Sequence, residues 1–251
     1  MEYPLTRSAA ASLLVAESSP STNSELLALA ADPGVPSFTA LLTLDQTAGR
    51  GRLDRSWVAP AGSAVALSVL VRDALTHPLA SWLPLLAGLA LAESLDAVAP
   101  GRVAVKWPND LLLDGRKVAG ILVEVAPGTR DAVVGTGLNL RQTREELPVE
   151  TATSLALAGV AADVDAIVAG YVTRLRDELE RPGPIARLRE RVAARCSTIG
   201  LDVRVLLADG AELLGTATGL DADGRLLVRG PSGVVAVAVG DITHVRPLTA
   251  G

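Results

Sequence analysis

Residues 46–57 read "QTAGRGRLDRSW" and combine three arginines, Arg50, Arg52 and Arg55, with two glycines. Glycine lets a backbone approach a ligand with its amides exposed, and a guanidinium group pairs with carboxylate or phosphate oxygens through two donors. The stretch therefore predicts an anion-binding loop, although a solvated hairpin with ordinary surface arginines is the alternative. Because the chain lacks the string G-x-x-x-x-G-K-[ST], this loop is not a P-loop.

A second candidate stretch contains the only two lysines among 23 basic residues, Lys106 and Lys117. An ammonium group is more compact and more strongly hydrated than a guanidinium group, so this choice of residue points to a particular contact. Lys117 lies in an apolar, strand-like segment, where an inward ammonium needs an anionic partner and an outward one merely follows strand alternation. Asp110, between the two lysines, is suited either to bind Mg²⁺ or to cap a turn.

The third stretch, residues 135–140, reads "GTGLNL". Its asparagine, Asn139, either contacts the edge of a nucleotide base or closes a turn. Taken together, the three stretches predict a site for a phosphorylated or nucleotide ligand, in which arginine and lysine offset phosphate charge.

Composition argues against several other classes of function. A net charge of -5 and six aromatic residues disfavour nucleic-acid binding. The two histidines, His77 and His244, lack metal-ligand or catalytic-triad spacing, and Cys196 alone can form neither an internal disulfide nor a zinc cluster. Membrane spans need about 20 apolar residues, and no stretch approaches that length. The N-terminal segment meets acid and proline too early for a signal peptide, so a cytoplasmic protein without membrane association is expected.

Periodicity and turn residues predict the order of the elements. Strands are expected within "ASLLVAESSP", "SFTALLTL", "SAVALSVLVR" and "RDAVVGTGLNL", and a buried helix within "PLASWLPLLAGLALAESLDAV". "TNSELLALAAD" predicts a helix with Thr22 as N-cap and Glu25 at capping-box spacing. Asp114 and Gly115 predict a tight hairpin turn. The arginine-glycine loop then lies between two strands.

The last part of the chain predicts a change of architecture. Two helices are expected in "DVDAIVAGYVTRLRDELER" and "PIARLRERVAARC", and short strands separated by turn residues follow. The boundary is expected between residues 197 and 201. The fold class is therefore an α/β or α+β body with a small β barrel or sandwich after it.

The motifs "STN", "QTAGRGR" with a following tryptophan, "KWPNDLLLDGRKVAGILVE" and "GTGLNL", in this order, resemble those of the biotin protein ligases. The resemblance covers residues 12–140 and continues by architecture to the C-terminus. It implies an α+β fold: a catalytic domain (1–198) with a mixed β-sheet flanked by helices, and a C-terminal SH3-like β-barrel domain (199–251).

In that family, biotin and ATP react to give biotinyl-5′-adenylate and pyrophosphate, and biotin is then transferred to a lysine of a biotin carboxyl carrier protein of acyl-CoA carboxylases. The resemblance thus implies biotin, ATP and Mg²⁺ as ligands and a carrier protein as partner. It also implies a monomer or a ligand-dependent homodimer. A related lipoate or octanoate ligase or transferase and a non-catalytic biotin-binding module are the alternatives.

The resemblance also implies a role for each matching residue. The implied biotin-binding residues are Ser21, Thr22, Asn23, Gln46, Arg50, Gly51, Arg52 and Lys117. The implied ATP-binding residues are Arg52, Trp57, Asn109, Lys117 and Asn139, and Asp110 is the implied metal ligand. The implied catalytic residues are Arg50, Arg52, Lys106 and Lys117. Ser21, Thr22 and Gln46 favour a ureido ring over an acyl chain, because a buried ureido group needs hydrogen-bond partners.

Two departures from the family pattern are visible. Asp54 stands where many members carry glycine, which bears on the mobility of the arginine loop and the retention of the adenylate. The resemblance begins almost at the N-terminus, so the DNA-binding domain that makes some members repressors is not expected, and neither is transcriptional regulation.

Overall fold

A computed structural model describes residues 2–52, 55–207, 211–238 and 241–244. The helices are α1 (Pro4–Ala9), α2 (Thr22–Leu29), α3 (Leu83–Leu95), α4 (Val164–Glu180) and α5 (Ile185–Arg195), with 3₁₀ turns at Ala74–Thr76 and Ala80–Trp82. The strands of the first part of the chain are β1 (Ser12–Ala16), β2 (Thr39–Thr43), β3 (Gly49–Arg50), β4 (Ser56–Trp57), β5 (Ala64–Val71), β6 (Val103–Lys106), β7 (Asp110–Leu113), β8 (Arg116–Val125) and β9 (Ala132–Asn139). The strands of the last part are β10 (Asp202–Leu206), β11 (Glu212–Leu220), β12 (Leu226–Gly230), β13 (Gly233–Val237) and β14 (Asp241–His244).

Seven strands form the main sheet, in the order β1-β2-β5-β9-β8-β7-β6. β1 and β2 are parallel and the other neighbouring pairs are antiparallel, so the sheet is mixed. α3 and α4 pack on one face, where their apolar side chains join the main core. This arrangement confirms the predicted α+β class with a mixed sheet flanked by helices.

α2 packs on the opposite face, against β2, β5 and β9. Its Leu26 and Ala30 form a separate small core with Leu70 of β5 and Val133 of β9. Arg72 holds the C-terminal end of the helix, since its guanidinium donates to the carbonyls of Ala30 at 2.7 Å and Val35 at 2.8 Å. The N-terminal end of α2 is thereby directed toward the middle of the sheet.

The predicted cap of α2 is wrong by one residue. Ser21, which has an extended backbone, is the N-cap, and its hydroxyl accepts a hydrogen bond from the N–H of Ser24 at 3.3 Å. Thr22 is the first helical residue, and Glu25 accepts from the Ser19 hydroxyl at 2.8 Å and not from the helix end. The spacing of Thr22 and Glu25 imitates a capping box, but the backbone leaves the extended region only after Ser21. Helix α1 was not predicted.

The arginine-glycine stretch forms the short antiparallel hairpin β3–β4, between β2 and β5 as predicted. Gly49 is required there, because a methyl group on its Cα would lie 2.4 Å from the carbonyl oxygen of Trp57. The Gly51 N–H donates to the carbonyl of Arg55 at 2.6 Å. Asp54, the departure from the family pattern, lies outside the described residues.

The second sheet is antiparallel, with the order β13-β12-β11-β10-β14, and it confirms the predicted all-β C-terminal part. Two tryptophans of the first part donate indole hydrogen bonds to the β11–β12 turn: Trp82 to the carbonyl of Ala222 at 2.9 Å and Trp107 to that of Gly224 at 3.0 Å. Val203 and other apolar residues of this sheet join the main core. The two sheets therefore pack as one body, and the boundary at 198/199 stays a prediction.

Among the described residues, none of the helices has the length and apolar content of a membrane span.

The salt bridge between Arg72 and Asp131 generates a prediction about pH and stability. Burial alone would raise the pKa of Asp131, but hydrogen bonds from the Asp73 N–H and the Arg72 guanidinium outweigh it and hold the pKa below its usual range. The bond to Arg72 is 2.6 Å long and both side chains are mostly buried. We expect Asp131→Asn to lower the free energy of unfolding by about 2–3 kcal/mol at pH 7.

Because the folded pKa of Asp131 lies below its unfolded value of about 3.9, this stabilisation is present above that pH and is lost as pH falls through the folded pKa. Urea unfolding of both proteins from pH 7 to about pH 3 should show the difference shrinking. Asp177→Asn, which removes an exposed ion pair on α4, is the matched control and should leave the urea midpoint unchanged. A difference that persists unchanged at pH 3 would contradict the assignment.

Candidate active site

Small side chains line the centre of one face of the main sheet. Ala66 and Ser68 of β5 lie opposite Gly137 and Gly135 of β9, and Gly137 lies opposite Gly120 of β8. Directly opposed residues of antiparallel strands point to the same face. The alternate positions, on the opposite face, carry large side chains of the main core: Leu67, Val69, Ile121, Val134 and Leu138. We call Gly120, Gly135 and Gly137 the glycine floor.

The N-terminal end of α2 forms one wall beside this floor. Ser21, Thr22 and Asn23 are all less than 10% exposed. The Thr22 N–H donates to Gln46 Oε1 at 2.9 Å, so the loop after β2 is joined to α2. A methyl group on Gly135 would lie 2.2 Å from Asn23 Oδ1, which places the asparagine directly on the floor. The four predicted polar residues are therefore close together.

Buried hydrogen bonds orient the side chains of this wall. The Ser68 hydroxyl lies 2.6 Å from Asn23 Oδ1 and 2.8 Å from Thr22 Oγ1. Asn23 Nδ2 donates to Glu124 Oε2 at 2.8 Å and to the carbonyl of Leu122 at 3.2 Å. The wall is thus held on both sides by the sheet, and it can present fixed donors and acceptors to a ligand.

The hairpin β3–β4 forms the second wall. Arg50 is half exposed and pairs with Glu124 at 2.9 Å, and Arg52 donates to Asn109 Oδ1 at 2.9 Å. The ring of Trp57 lies on Gly137, where a methyl group would approach its Cε2 to 2.7 Å. The hairpin therefore lies over the floor and contacts both β8, which carries Lys117, and the β6–β7 turn.

A β-bulge turns Lys117 toward the floor. β7 and β8 shift register after Leu111, which leaves Val118 as an extra residue. Regular alternation counted back from Gly120 would place Lys117 on the core face, whereas the bulge places it on the floor side. Its Nζ lies 2.6 Å from Asp110 Oδ1 and 3.4 Å from the position of a methyl group on Gly120. Lys117 therefore has an anionic partner while remaining 43% exposed.

The β6–β7 hairpin brings Lys106 to the same place, since Lys106 pairs with Asp110 across its two strands. Asn109, in the turn, donates to the carbonyl of Ile121 at 2.7 Å and accepts from Arg52. Among the described residues, Arg50 and Lys117 contact the carboxylates Glu124 and Asp110, Arg52 contacts Asn109, and Lys106 lies across the hairpin from Asp110. Positive charge that is held in place before a ligand binds is what phosphate chemistry requires.

Asn139 lies at the end of β9 and is buried. Its Nδ2 donates to the carbonyl of Thr153 at 2.9 Å, and its Oδ1 accepts from Gln142 at 3.0 Å. Of the two interpretations of this residue, closing a turn is the one that these contacts support. The side chain ties the connection after β9 to the sheet beside the site.

Sequence reasoning missed Ser68, Glu124 and the glycine floor. The signals were present: glycines two apart in a strand place two bare positions on one face, and a glutamate inside the apolar run "ILVEV" needs a partner. Among the described residues, no group of three His, Cys, Asp or Glu side chains is arranged to bind a metal. A single carboxylate such as Asp110 suits Mg²⁺ only if phosphate and water supply the other ligands.

Comparisons with known proteins agree with this arrangement. Residues 15–139 match the biotin/lipoate A/B protein ligase family, and residues 198–245 match the biotin protein ligase C-terminal domain. The chain is 42% identical to the biotin--[acetyl-CoA-carboxylase] ligase of Mycobacterium tuberculosis, over 90% of this chain and 86% of the relative. It is 35% identical to the enzyme of that name from Paracoccus denitrificans, over 88% of this chain and 96% of the relative.

A solved structure shows the same fold. The biotin protein ligase from Aquifex aeolicus in complex with biotin and ATP superposes with a TM-score of 0.78 at 26% identity, covering 94% of this chain and 99% of that chain. The order of motifs, the sheet topology and both matched regions agree with one another. The chain belongs to the biotin protein ligase family.

Proposed function

We propose that this chain attaches biotin to a lysine of a biotin carboxyl carrier protein in two ATP-dependent steps. In the first, a biotin carboxylate oxygen attacks the α-phosphorus of ATP, and the bond from that phosphorus to the bridging oxygen breaks. Biotinyl-5′-adenylate and pyrophosphate result. In the second, the carrier's lysine amine attacks the acyl carbon, an amide forms, AMP leaves and the amine loses a proton.

One observation carries this proposal: beside the glycine floor, Lys117 contacts Asp110, Lys106 lies across the hairpin from Asp110, and Arg52 contacts the adjacent Asn109. A carboxylate is already ionised at pH 7, so its attack needs no general base. The step needs relief of the repulsion between two anions and their alignment, which fixed cations and a defined pocket supply. The absence of histidine from the described site is therefore no obstacle to this chemistry.

The polar wall of Ser21, Thr22, Asn23 and Gln46 binds biotin in this proposal. A ureido ring presents a carbonyl and two N–H groups, and burying them without partners would cost free energy. The hydroxyl and amide groups of the wall are buried and already oriented by Ser68 and Glu124. An acyl chain such as octanoate would instead favour an apolar tunnel.

The opposite end of the floor binds ATP in this proposal, through Arg52, Trp57, Asn109 and Lys117. Trp57 offers a ring face for the adenine. Asn139 acts by holding the connection after β9 in place, because its amide is engaged with Thr153 and Gln142. Gly51 and Arg50 belong to the loop that closes over both ligands.

Asp110 is the proposed Mg²⁺ ligand. Its carboxylate is only 19% exposed and contacts Lys117, so it fits a metal that takes one protein carboxylate and completes its shell with phosphate and water. Bound Mg²⁺ would offset the charge of the leaving pyrophosphate.

We further propose a division of the chain into two domains, a class of carrier, a cellular location and an oligomeric state. Residues 1–198 form the catalytic domain and residues 199–251 the C-terminal domain. The carrier belongs to an acyl-CoA carboxylase, the protein acts in the cytoplasm, and it is a monomer or a ligand-dependent homodimer.

The decisive experiment measures pyrophosphate release from ATP and Mg²⁺ with biotin, lipoate or octanoate offered separately. Each is tested with and without a biotin carrier domain, whose mass is then measured. We expect release with biotin and a mass gain of one biotinyl group on the carrier. Turnover with lipoate and none with biotin would overturn the assignment of biotin as the substrate. Binding of biotin without pyrophosphate release would indicate a biotin-binding module.

We predict that Lys117→Ala lowers the rate of adenylate formation about 10²- to 10³-fold with the fold intact, because it removes a cation from the reacting oxygens. Pyrophosphate release under single-turnover conditions measures this rate, and circular dichroism checks the fold. Arg116→Ala is the matched control: Arg116 is the neighbouring exposed cation, whose side chain donates to the carbonyl of Glu150. Unimpaired release by the Lys117 variant would remove the residue from the mechanism.

We also predict that Gly137→Ala raises the KM for ATP about tenfold, since the new methyl group would lie 2.7 Å from the ring of Trp57 and must displace it. Steady-state kinetics with ATP varied at saturating biotin measure the change. Gly219→Ala, on β11, is the control, because a methyl group there would meet nothing within 4 Å. If the tryptophan fluorescence changes, which shows that the Trp57 ring has moved, and the KM for ATP stays the same, the ring does not contact ATP.

A further inference from the structure

Glu124 is a carboxylate on β8 that joins two separate walls of the site. Its Oε1 lies 2.9 Å from Nη2 of Arg50, on the hairpin, and its Oε2 accepts from the same nitrogen at 3.0 Å. Oε2 also accepts from Asn23 Nδ2, on α2, at 2.8 Å. The Glu124 side chain is 22% exposed, so these contacts are partly shielded from water. A single residue thereby connects the arginine loop to the polar wall.

The ion pair with Glu124 limits the ability of Arg50 to bind an anionic ligand. Its charge is already offset by Glu124, so an incoming phosphate or carboxylate would have to compete with a carboxylate held in position. The same Nη2 also donates to the Ser24 hydroxyl at 3.1 Å, on α2. Arg50 is therefore directed away from the cations around Asp110 and toward α2 and β8. Its contacts are those of a residue that holds a loop closed.

Glu124 also controls the direction of the hydrogen bonds in the polar wall. An ionised carboxylate only accepts, so Asn23 must present its Nδ2 there and its Oδ1 to Ser68. The Ser68 hydroxyl then donates to Asn23 Oδ1 at 2.6 Å and lies 2.8 Å from the Thr22 hydroxyl, whose oxygen is also 3.2 Å from Gln46 Oε1. Removing the charge of Glu124 would weaken the shorter of the two hydrogen bonds that orient Asn23 Nδ2 and leave the carbonyl of Leu122, at 3.2 Å, as the other acceptor.

We propose that Glu124 is a positioning residue that latches the arginine loop through Arg50 and orients the polar wall through Asn23. In this arrangement the ligand's anions interact with Arg52, Lys106 and Lys117, and Arg50 acts through Glu124. The identity of the retained ligand rests on the proposed function. The position of the arginine loop before any ligand binds rests only on the contacts of Arg50 and is independent of that function.

A double-mutant cycle tests the latch. Biotinyl-adenylate is formed on the parent protein, on Arg50→Ala, on Glu124→Gln and on the double variant, and its dissociation is followed after a chase with excess unlabelled biotin and ATP. We expect each single variant to speed dissociation about tenfold, and the double variant to be no faster than about tenfold, because both changes break one interaction. A double variant about 100-fold faster, or an Arg50 effect far larger than that of Glu124, would show that Arg50 contacts the ligand directly and would overturn the latch.

Limited proteolysis provides a test without ligand. Trypsin cleaves after arginine, and Arg50, Arg52 and Arg55 all lie in the loop. We expect Glu124→Gln to raise the rate of cleavage within residues 49–57 about fivefold, with the thermal midpoint kept near that of the parent. Glu180→Gln, which removes an exposed ion pair with Arg176 on α4, should leave the rate unchanged.

The two tests separate the latch from the proposed function. A parent protein that forms no adenylate from biotin would refute the proposed function, and faster cleavage of the Glu124 variant would still support the latch. Equal cleavage rates for the parent and Glu124→Gln would overturn it.

Discussion

The site depends on the pairing register of β5, β9 and β8, which collects the smallest side chains on one face of the sheet. Ala66 and Ser68 lie beside Gly135 and Gly137, and Gly120 completes the floor. A shift of one residue in any of these strands would turn apolar core residues into the site and glycines into the core. The buried packing of α3 and α4 on the other face opposes such a shift, since it would expose large apolar side chains. Core packing on one face therefore also keeps the glycines on the other face, where they leave space for a ligand.

Two of the cations around this floor are held by carboxylates before any ligand arrives. Lys117 contacts Asp110, and Arg50 contacts Glu124. Each pair lowers the conformational freedom of a long side chain, so less entropy is lost when a ligand binds. The two pairs differ in environment: Asp110 has a second lysine across the hairpin, whereas Glu124 also accepts from Asn23. The second pair is thereby tied into the polar wall, whereas the first is joined only to the lysine hairpin.

Local signals in the sequence predicted the elements well, and long-range geometry explains what they missed. Asp114 and Gly115 form the predicted turn with φ angles of 49° and 77°, a conformation that their own residue types favour. The orientation of Lys117 could not be predicted, because the bulge arises from pairing with β7 and contradicts simple alternation. The cap of α2 was misplaced for a similar reason: Thr22 donates its N–H to Gln46, a contact 24 positions away. Local spacing could not distinguish it from Ser21.

The site residues were predicted as a set by motif order, yet their partners were not. Asn139 is buried in contacts with Gln142 and Thr153, which no motif indicated. Ser68 and Glu124 lie in strands whose apolar pattern conceals them until the strands are paired. Side-chain chemistry in a sequence identifies candidates for ligand contact, whereas the residues that orient them become visible only through the fold.

Trp107 shows how the second sheet takes part in the site without lining it. Its backbone N–H donates to the Thr198 hydroxyl at 3.1 Å, and its indole donates to the carbonyl of Gly224 at 3.0 Å. Trp107 directly follows Lys106 and lies in the turn that carries Asn109. Both bonds are buried, so breaking either leaves a polar group without a partner and displaces the hairpin that presents Lys106 and Asp110. Through packing and hydrogen bonds, the β11–β12 turn therefore contributes from outside the main sheet to the position of Lys106 and Asp110.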